Sequence, residues 1–134
     1  MKILAVCGSP RKGNTYSILN SIKESNPDID FKILMLSELN LKDCRGCYLC
    51  NAKGEENCPL KDDRDQIIEE MKDADGVIFA SPTYVNHSTA LMKKFIERTG
   101  FLGHRPIFFD KFAMVIGNCK GFGANQVTKY MKGI

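Results

Sequence analysis

The stretch KILAVCGSPRKGNT, residues 2–15, joins a short apolar run to a polar loop. The run at residues 2–7 is continuous and rich in branched side chains, which predicts a buried strand of a parallel sheet. Asn14 or Thr15 is placed to cap a helix directly after the loop. This opening unit therefore predicts a strand, a loop and a helix in succession.

The same alternation continues along the chain. Further strands are predicted at residues 30–39, 76–84 and 111–118, and further helices at residues 62–75, 88–100 and 124–134. Such alternation predicts a single α/β domain, residues 1–134, with an open parallel sheet and helices on both faces. The chain ends with its fourth predicted helix, so the prediction lacks a fifth strand and a last helix.

Composition excludes several classes of partner. The 134 residues carry a formal net charge of +3, from 19 basic and 16 acidic residues that are mixed along the chain. No basic block indicates nucleic acid or a membrane surface. The apolar run at the start is too short for a signal peptide, and no segment approaches the length of a membrane span. We therefore expect a cytoplasmic protein that binds neither nucleic acid nor a membrane.

The loop at residues 8–15 has the character of an anion site. It lies between a strand and a helix, and ligands on such sheets bind at the carboxyl ends of strands. Backbone N–H groups at a helix start attract phosphate, and the side chains that add donors or charge are Ser9, Arg11, Asn14 and Thr15. Neither the dinucleotide fingerprint nor a P-loop is present. The loop favours a mononucleotide; an ordinary turn with a helix cap is the alternative.

Two other loops follow strands at the same predicted edge. SPTYVNHS, residues 81–88, contains a rigid Pro82 and a Tyr84 that can lie near the face of a planar ring. Peptide groups of residues 83–86 are placed to meet the polar edge of such a ring. GNCKGFG, residues 117–123, has glycines that let the backbone come close to a ligand, and its alternative interpretation is a flexible turn. His87 is more typical of a solvent-facing loop residue than of a proton donor.

A resemblance joins these segments. The chain resembles the flavodoxin-like superfamily of NAD(P)H-dependent FMN reductases, and within it the iron-sulfur flavoproteins. The resemblance rests on four segments and on their order along the chain: GSPRKGNT, CRGCYLC, SPTYVNHSTALMKKFIERT and GNCKGFGANQ. The resemblance implies a flavodoxin-like sheet that binds FMN, with the phosphate on the four residues of the first loop. It places the isoalloxazine ring against the other two loops, at Pro82, Thr83, Tyr84, Val85, Asn86, Gly117, Asn118, Cys119 and Gly121. It also implies assembly as a homodimer or homotetramer.

Four cysteines form a dense cluster after the second strand. In residues 44–58 the pattern is C-x2-C-x2-C-x7-C, and its members are Cys44, Cys47, Cys50 and Cys58. Four thiolates at such spacing suit a [4Fe-4S] cluster, and the resembled iron-sulfur flavoproteins carry a compact cysteine set of this kind. Zinc, free thiols and a disulfide are the alternatives, since flavin reductases with a similar loop can lack a cluster.

The predicted function is that of an FMN-dependent oxidoreductase. Electrons pass between FMN and the [4Fe-4S] cluster, or to a small acceptor, and the partner is a small-molecule or protein electron donor or acceptor. The alternative is an NAD(P)H-dependent FMN or quinone reductase without a cluster, and a third interpretation is a non-catalytic zinc-binding interaction module. No acid–base residue is expected to be essential. Lys93, Lys94, Arg98 and the charged residues of 60–66 are predicted to be solvated helix surface.

Overall fold

The computed structural model describes residues 1–133, and their strands form one parallel sheet. The strands are β1 (Lys2–Cys7), β2 (Asp30–Met35), β3 (Gly76–Pro82) and β4 (Phe112–Asn118). Their order in the sheet is β2-β1-β3-β4. Every pairing is parallel, which confirms the predicted open sheet. The central β1 is the most deeply buried, with Ala5, Val6 and Cys7 fully inaccessible.

Helices connect the strands and cover both faces of the sheet. They are α1 (Asn14–Glu24), α2 (Leu49–Lys53), α3 (Arg64–Asp73), α4 (Ala90–Thr99) and α5 (Ala124–Lys132). On one face Leu19 of α1 packs against Ala5, Cys7 and Ile78. On the other face the core residues from α3, α4 and α5 are Met71, Met92, Phe95, Val127 and Met131. None of the helices in the described residues is long and apolar enough to cross a membrane.

The structure corrects several predicted details. Strand β2 was predicted to extend to residue 39, but it ends at Met35. Leu36–Glu38 form a 3₁₀ turn instead, and this turn buries Leu36. Gly13, with no side-chain cap, occupies the cap position of α1 in place of Asn14 or Thr15. Helix α2 and a 3₁₀ turn at Glu55–Asn57 lie within the cysteine loop, where no element was predicted.

The topology brings four connections to one edge of the sheet. In a parallel sheet the carboxyl ends of all strands lie at the same edge, and order β2-β1-β3-β4 reverses direction between β1 and β3. The loops that begin there are residues 8–13, 36–63, 83–89 and 119–123. Gly8 N–H donates to the Ala80 carbonyl at 2.8 Å, and Thr83 N–H donates to the Asn118 carbonyl at 2.8 Å, so these loops are tied together.

Candidate functional site

The loop after β1 forms a tight turn at the start of α1. The Ser9 hydroxyl is buried and donates to the Arg11 carbonyl at 2.7 Å, and Gly13 N–H donates to the same carbonyl at 2.8 Å. Arg11 and Asn14 are exposed beside this turn. The N-terminus of an eleven-residue helix thus faces a loop that carries two basic side chains, Arg11 and Lys12, and several polar groups. The arrangement can hold a phosphate, and the four predicted phosphate contacts stay predictions.

Thr15 has a different immediate partner. Its side chain is 1% exposed, and its hydroxyl donates to the Asn118 side-chain oxygen at the end of β4. The hydrogen bond joins the first turn of α1 to the last residue of β4. Thr15 therefore holds two walls of the site together.

The loop after β3 contains a strained turn. The backbone N–H groups of Tyr84 and His87 donate to each other's carbonyls at 2.9 and 3.0 Å, and Val85 and Asn86 between them adopt φ values of 49° and 61°. This left-handed region is costly for a β-branched residue, and Val85 is 99% exposed, so no burial compensates. Strain of this kind concentrates at ligand-binding sites.

Unused hydrogen-bonding groups lie in the same turn. The N–H groups of Thr83 and Tyr84 already have backbone acceptors, so a ligand would meet the N–H groups of the two residues that follow. Within the described residues, the N–H groups of Val85 and Asn86 have no acceptor. The Thr83 hydroxyl oxygen is buried and likewise has no partner in the described part of the chain. The buried Thr83 hydroxyl is costly to leave without a partner, and the N–H groups of the exposed Val85 and Asn86 are open to an acceptor, so the turn favours a polar ligand.

The glycine-rich loop after β4 packs against this turn. Gly123 has φ = 100°, and a Cβ there would lie 2.7 Å from Thr83 Cγ2. A Cβ on Gly117 would lie 2.9 Å from the Ala124 carbonyl oxygen, whereas one on Gly121 would meet nothing within 4 Å. Gly123 is therefore required for the loop contact, although sequence reasoning named Gly117 and Gly121. The signal that could have found it is its position immediately before the first residue of a helix.

The three strand-end loops together fit FMN. They bring a helix N-terminus, a glycine-rich backbone and unpaired polar groups to one edge, which suits a phosphate and a planar ring with a polar rim. Tyr84 is 45% exposed beside the strained turn, as expected for an aromatic side chain near a ring face. His87 is also exposed, with its ring 4.4 Å from that of Tyr130.

The cysteine loop leaves β2 at the same edge. Cys44 and Cys47 are exposed, Cys50 is half-buried and Cys58 is buried. The thiol set has the chemistry that an iron-sulfur cluster requires. In residues 1–133, however, no three His, Cys, Asp or Glu side chains converge on a possible metal position. The four-cysteine ligand set therefore stays a prediction.

Cys58 lies in a buried charged cluster with Asp62, Arg64 and Arg98, so the prediction that these three charged residues form solvated surface is wrong. Arg98 is 3% exposed; its Nη1 donates to Cys58 Sγ at 3.2 Å and its Nη2 to Asp62 Oδ1 at 2.7 Å. Burial raises the pKa of the Cys58 thiol, but hydrogen bonds from Arg98 and the Leu60 backbone, with the charges of Arg98 and Arg64, produce a net lowering. The helical spacing of α4 already placed Arg98 three residues after the inward-facing Phe95, and this was the missed signal.

Comparison with known proteins agrees with this geometry. Residues 1–134 match the NADPH-dependent FMN reductase family. The chain belongs to this family. It is 38% identical to an iron-sulfur flavoprotein of Archaeoglobus fulgidus, over 98% of this chain and 60% of the relative. It is also 38% identical to an iron-sulfur flavoprotein of Methanocaldococcus jannaschii, over 74% of this chain and 52% of the relative.

The chain therefore spans about half to three-fifths of the length of these curated relatives. Solved structures share the fold at lower identity. RosB with a bound 8-demethyl-8-formylriboflavin-5'-phosphate superposes with a TM-score of 0.76 at 16% identity, over 99% of this chain and 57% of that one. An azoreductase from Bacillus anthracis gives a TM-score of 0.71 at 20% identity, over 99% of this chain and 79% of that one.

These comparisons confirm the predicted family and its iron-sulfur flavoprotein branch. The solved structures confirm the flavodoxin-like fold class, and the family match agrees with the predicted class of flavin-dependent oxidoreductase. The individual site residues stay predictions.

Proposed function

We propose that the protein is an FMN-dependent redox flavoprotein that passes electrons between FMN and a [4Fe-4S] cluster held by Cys44, Cys47, Cys50 and Cys58. The proposal rests on the position of the cysteine loop relative to the three loops of the flavin site. The cysteine loop leaves β2 at the same sheet edge at which the loops after β1, β3 and β4 meet. Both cofactors would therefore be held on one side of a small domain. The curated relatives are named iron-sulfur flavoproteins, which supports an iron-sulfur centre together with a flavin.

The chain's own groups would bind and orient the flavin. FMN, when bound, supplies a centre that exchanges electrons singly or in pairs. The loop at residues 8–13 and the start of α1 would hold its phosphate, and Arg11 would add charge. The free N–H groups of Val85 and Asn86 and the Thr83 hydroxyl would donate to polar atoms of the ring. Hydrogen-bond donors at the ring edge stabilise its reduced, more negative form.

A second candidate function is an NAD(P)H-dependent FMN or quinone reductase without a cluster. The family description favours a nicotinamide donor, and in the described residues the cysteines do not converge. A zinc-binding interaction module is the third candidate and leaves the strained turn of residues 84–87 unexplained. For either redox function we propose a small-molecule or protein electron partner and a homodimer or homotetramer.

Anaerobic purification tests these candidates on one sample. We expect flavin absorbance together with about four iron and four sulfide per chain. Cys47→Ser should lose the iron and keep the flavin, whereas Cys119→Ser, which lies outside the cysteine loop, should keep the iron. Flavin without iron, reducible by NAD(P)H, would replace the first proposal with the second. Colourless protein with one zinc per chain would establish the third.

A further inference from the structure

The charged cluster of Cys58, Asp62, Arg64 and Arg98, here called the Arg98 cluster, contains two buried guanidinium groups but one buried carboxylate. The side chains of Asp62 and Arg98 are 1% and 2% exposed, and they form a 2.7 Å ion pair. Arg64 is 2% exposed, but its acidic partner Asp65 is 57% exposed. Arg64 Nη2 also donates to the Glu55 carbonyl at 2.8 Å, three residues before Cys58.

Both guanidinium groups keep an unused donor. Arg98 Nε and Arg64 Nη1 are buried, and neither has a hydrogen-bond partner in the part of the chain described. A buried N–H without an acceptor costs about 1–3 kcal/mol, and more for a charged group. A buried ion pair is also weak evidence of a stabilising role. The cluster therefore has the features of a site that receives negative charge from outside the protein's own side chains.

Among the four cysteines of the loop, Cys58 is the one whose sulfur accepts a hydrogen bond from the buried Arg98 guanidinium group. It is the buried member of the cysteine loop, and Arg98 fixes its sulfur from helix α4, forty residues away in sequence. Asp62 holds Arg98 in turn and also accepts from Lys42 N–H at 2.8 Å, directly before the loop begins. The cluster thus ties both ends of the cysteine loop to α4, while Cys44 and Cys47 are exposed.

We propose that Arg98 is a positioning residue for the metal centre, holding the Cys58 sulfur by a donated hydrogen bond and offsetting the negative charge of the thiolate-ligated cluster. This inference rests on the proposed function. A hydrogen bond and a positive charge beside a cluster sulfur favour the reduced cluster, because that form is more negative. Arg98 therefore raises the reduction potential of the cluster. Its effect on the flavin is small, since it contacts Cys58 and Asp62 and none of the three flavin loops.

Redox titration of the anaerobically purified protein tests the proposal, with the flavin couple as an internal reference. We expect Arg98→Gln to lower the ratio of reduced to oxidised cluster about tenfold at a fixed applied potential. For a one-electron couple, this corresponds to a reduction potential lowered by about 59 mV. Arg98→Lys, which keeps the charge, should restore part of this shift. The matched control is Arg105→Gln, which removes the exposed partner of Glu55 without touching Cys58. Its potential should equal that of the wild type.

The double variant Asp62→Asn/Arg98→Gln guards against misfolding, because Arg98→Gln alone leaves a buried carboxylate unpaired. The double variant removes one negative and one positive charge, so the net charge beside Cys58 is unchanged. A lowered reduction potential of the cluster in this variant would therefore come from the lost hydrogen bond to Cys58. Iron-loaded Arg98→Gln and double variants with the wild-type potential would overturn the inference and leave the proposed function intact. Wild-type protein that contains flavin but no iron would overturn both.

Discussion

The Thr15 hydroxyl donates a hydrogen bond to the Asn118 side chain, joining the first turn of α1 to the last residue of β4 across 103 positions of sequence. Asn118 also accepts from Thr83 N–H through its backbone carbonyl. One residue at the end of β4 therefore connects the loop that follows β3 and the helix that follows β1. The three walls of the proposed flavin site are held by this pair of contacts.

Thr15→Val should weaken flavin binding without unfolding the protein. The variant keeps the buried shape but leaves the Asn118 oxygen unpaired, which costs about 1–3 kcal/mol. We expect the dissociation constant of FMN to rise about tenfold, as 1.4 kcal/mol corresponds to a factor of ten. Quenching of flavin fluorescence during titration of flavin-free protein measures it. Ser17→Ala, an exposed position on the same helix, is the control, and an unchanged constant in Thr15→Val would refute the linking role.

Val85→Gly should stabilise the flavin-free protein. The left-handed conformation of Val85 costs about 1–2 kcal/mol, and glycine adopts it freely, although glycine loses more entropy on folding. Because Val85 is almost fully exposed, no buried surface is lost. The free energy of unfolding in urea should rise by up to about 1 kcal/mol. Lys120→Gly, at a loop residue without positive φ, should give no gain. A loss of stability in Val85→Gly would show that the turn is not strained.

The sequence predicted the architecture because its signals are local and repeated. Strands β1, β3 and β4 each contain a continuous apolar run, and a glycine or proline lies at or directly after the carboxyl end of each run. The strained turn at Val85 and Asn86 was not predictable, since neither residue type requires positive φ. Its conformation depends on the Tyr84–His87 pairing and on Gly123 packing against Thr83.

The burial of Arg98 was missed although its spacing from Phe95 places it on the inward face of α4. A basic residue in the last turn of an amphipathic helix normally faces solvent and complements the helix dipole. Its burial depends on Asp62 and Cys58, which precede it by 36 and 40 residues. Pattern analysis of α4 alone contains no information on those partners. The cysteine spacing showed which residues could bind a metal, but not that one of them is held by a guanidinium group.

Gly123→Ala should damage both stability and the flavin site. The backbone at φ = 100° disfavours a Cβ, and that atom would also lie 2.7 Å from Thr83 Cγ2. Together these effects should lower the free energy of unfolding by about 2–4 kcal/mol. Gly121→Ala in the same loop is the matched control, because its Cβ has open space. Equal urea midpoints for the two variants would contradict the close contact between the loops.

Asp62 should contribute an acid-sensitive part of the protein's stability. Burial alone would raise the pKa of Asp62, but hydrogen bonds from Arg98, Lys42 and Arg64 lower it below the ordinary 3.8. A carboxylate with a depressed pKa in the folded state stabilises the protein fully above its unfolded pKa, and this stabilisation is lost as the pH falls through the folded value. Stability that depends on Asp62 should therefore be constant near neutral pH and decline below about pH 4.

Urea unfolding between pH 7 and pH 3 measures this contribution. Asp62→Asn should be less stable than the wild type at pH 7 by about 3 kcal/mol, because Arg98 keeps its buried charge without a partner. The two curves should converge on acidification, since the wild type loses the ion pair that the variant never had. Asp28→Asn, at an exposed position, should follow the wild-type curve throughout. Parallel curves for Asp62→Asn and the wild type would mean that the pKa of Asp62 is the same in the folded and unfolded protein. The ion pair with Arg98 would then make no pH-dependent contribution to the free energy of unfolding.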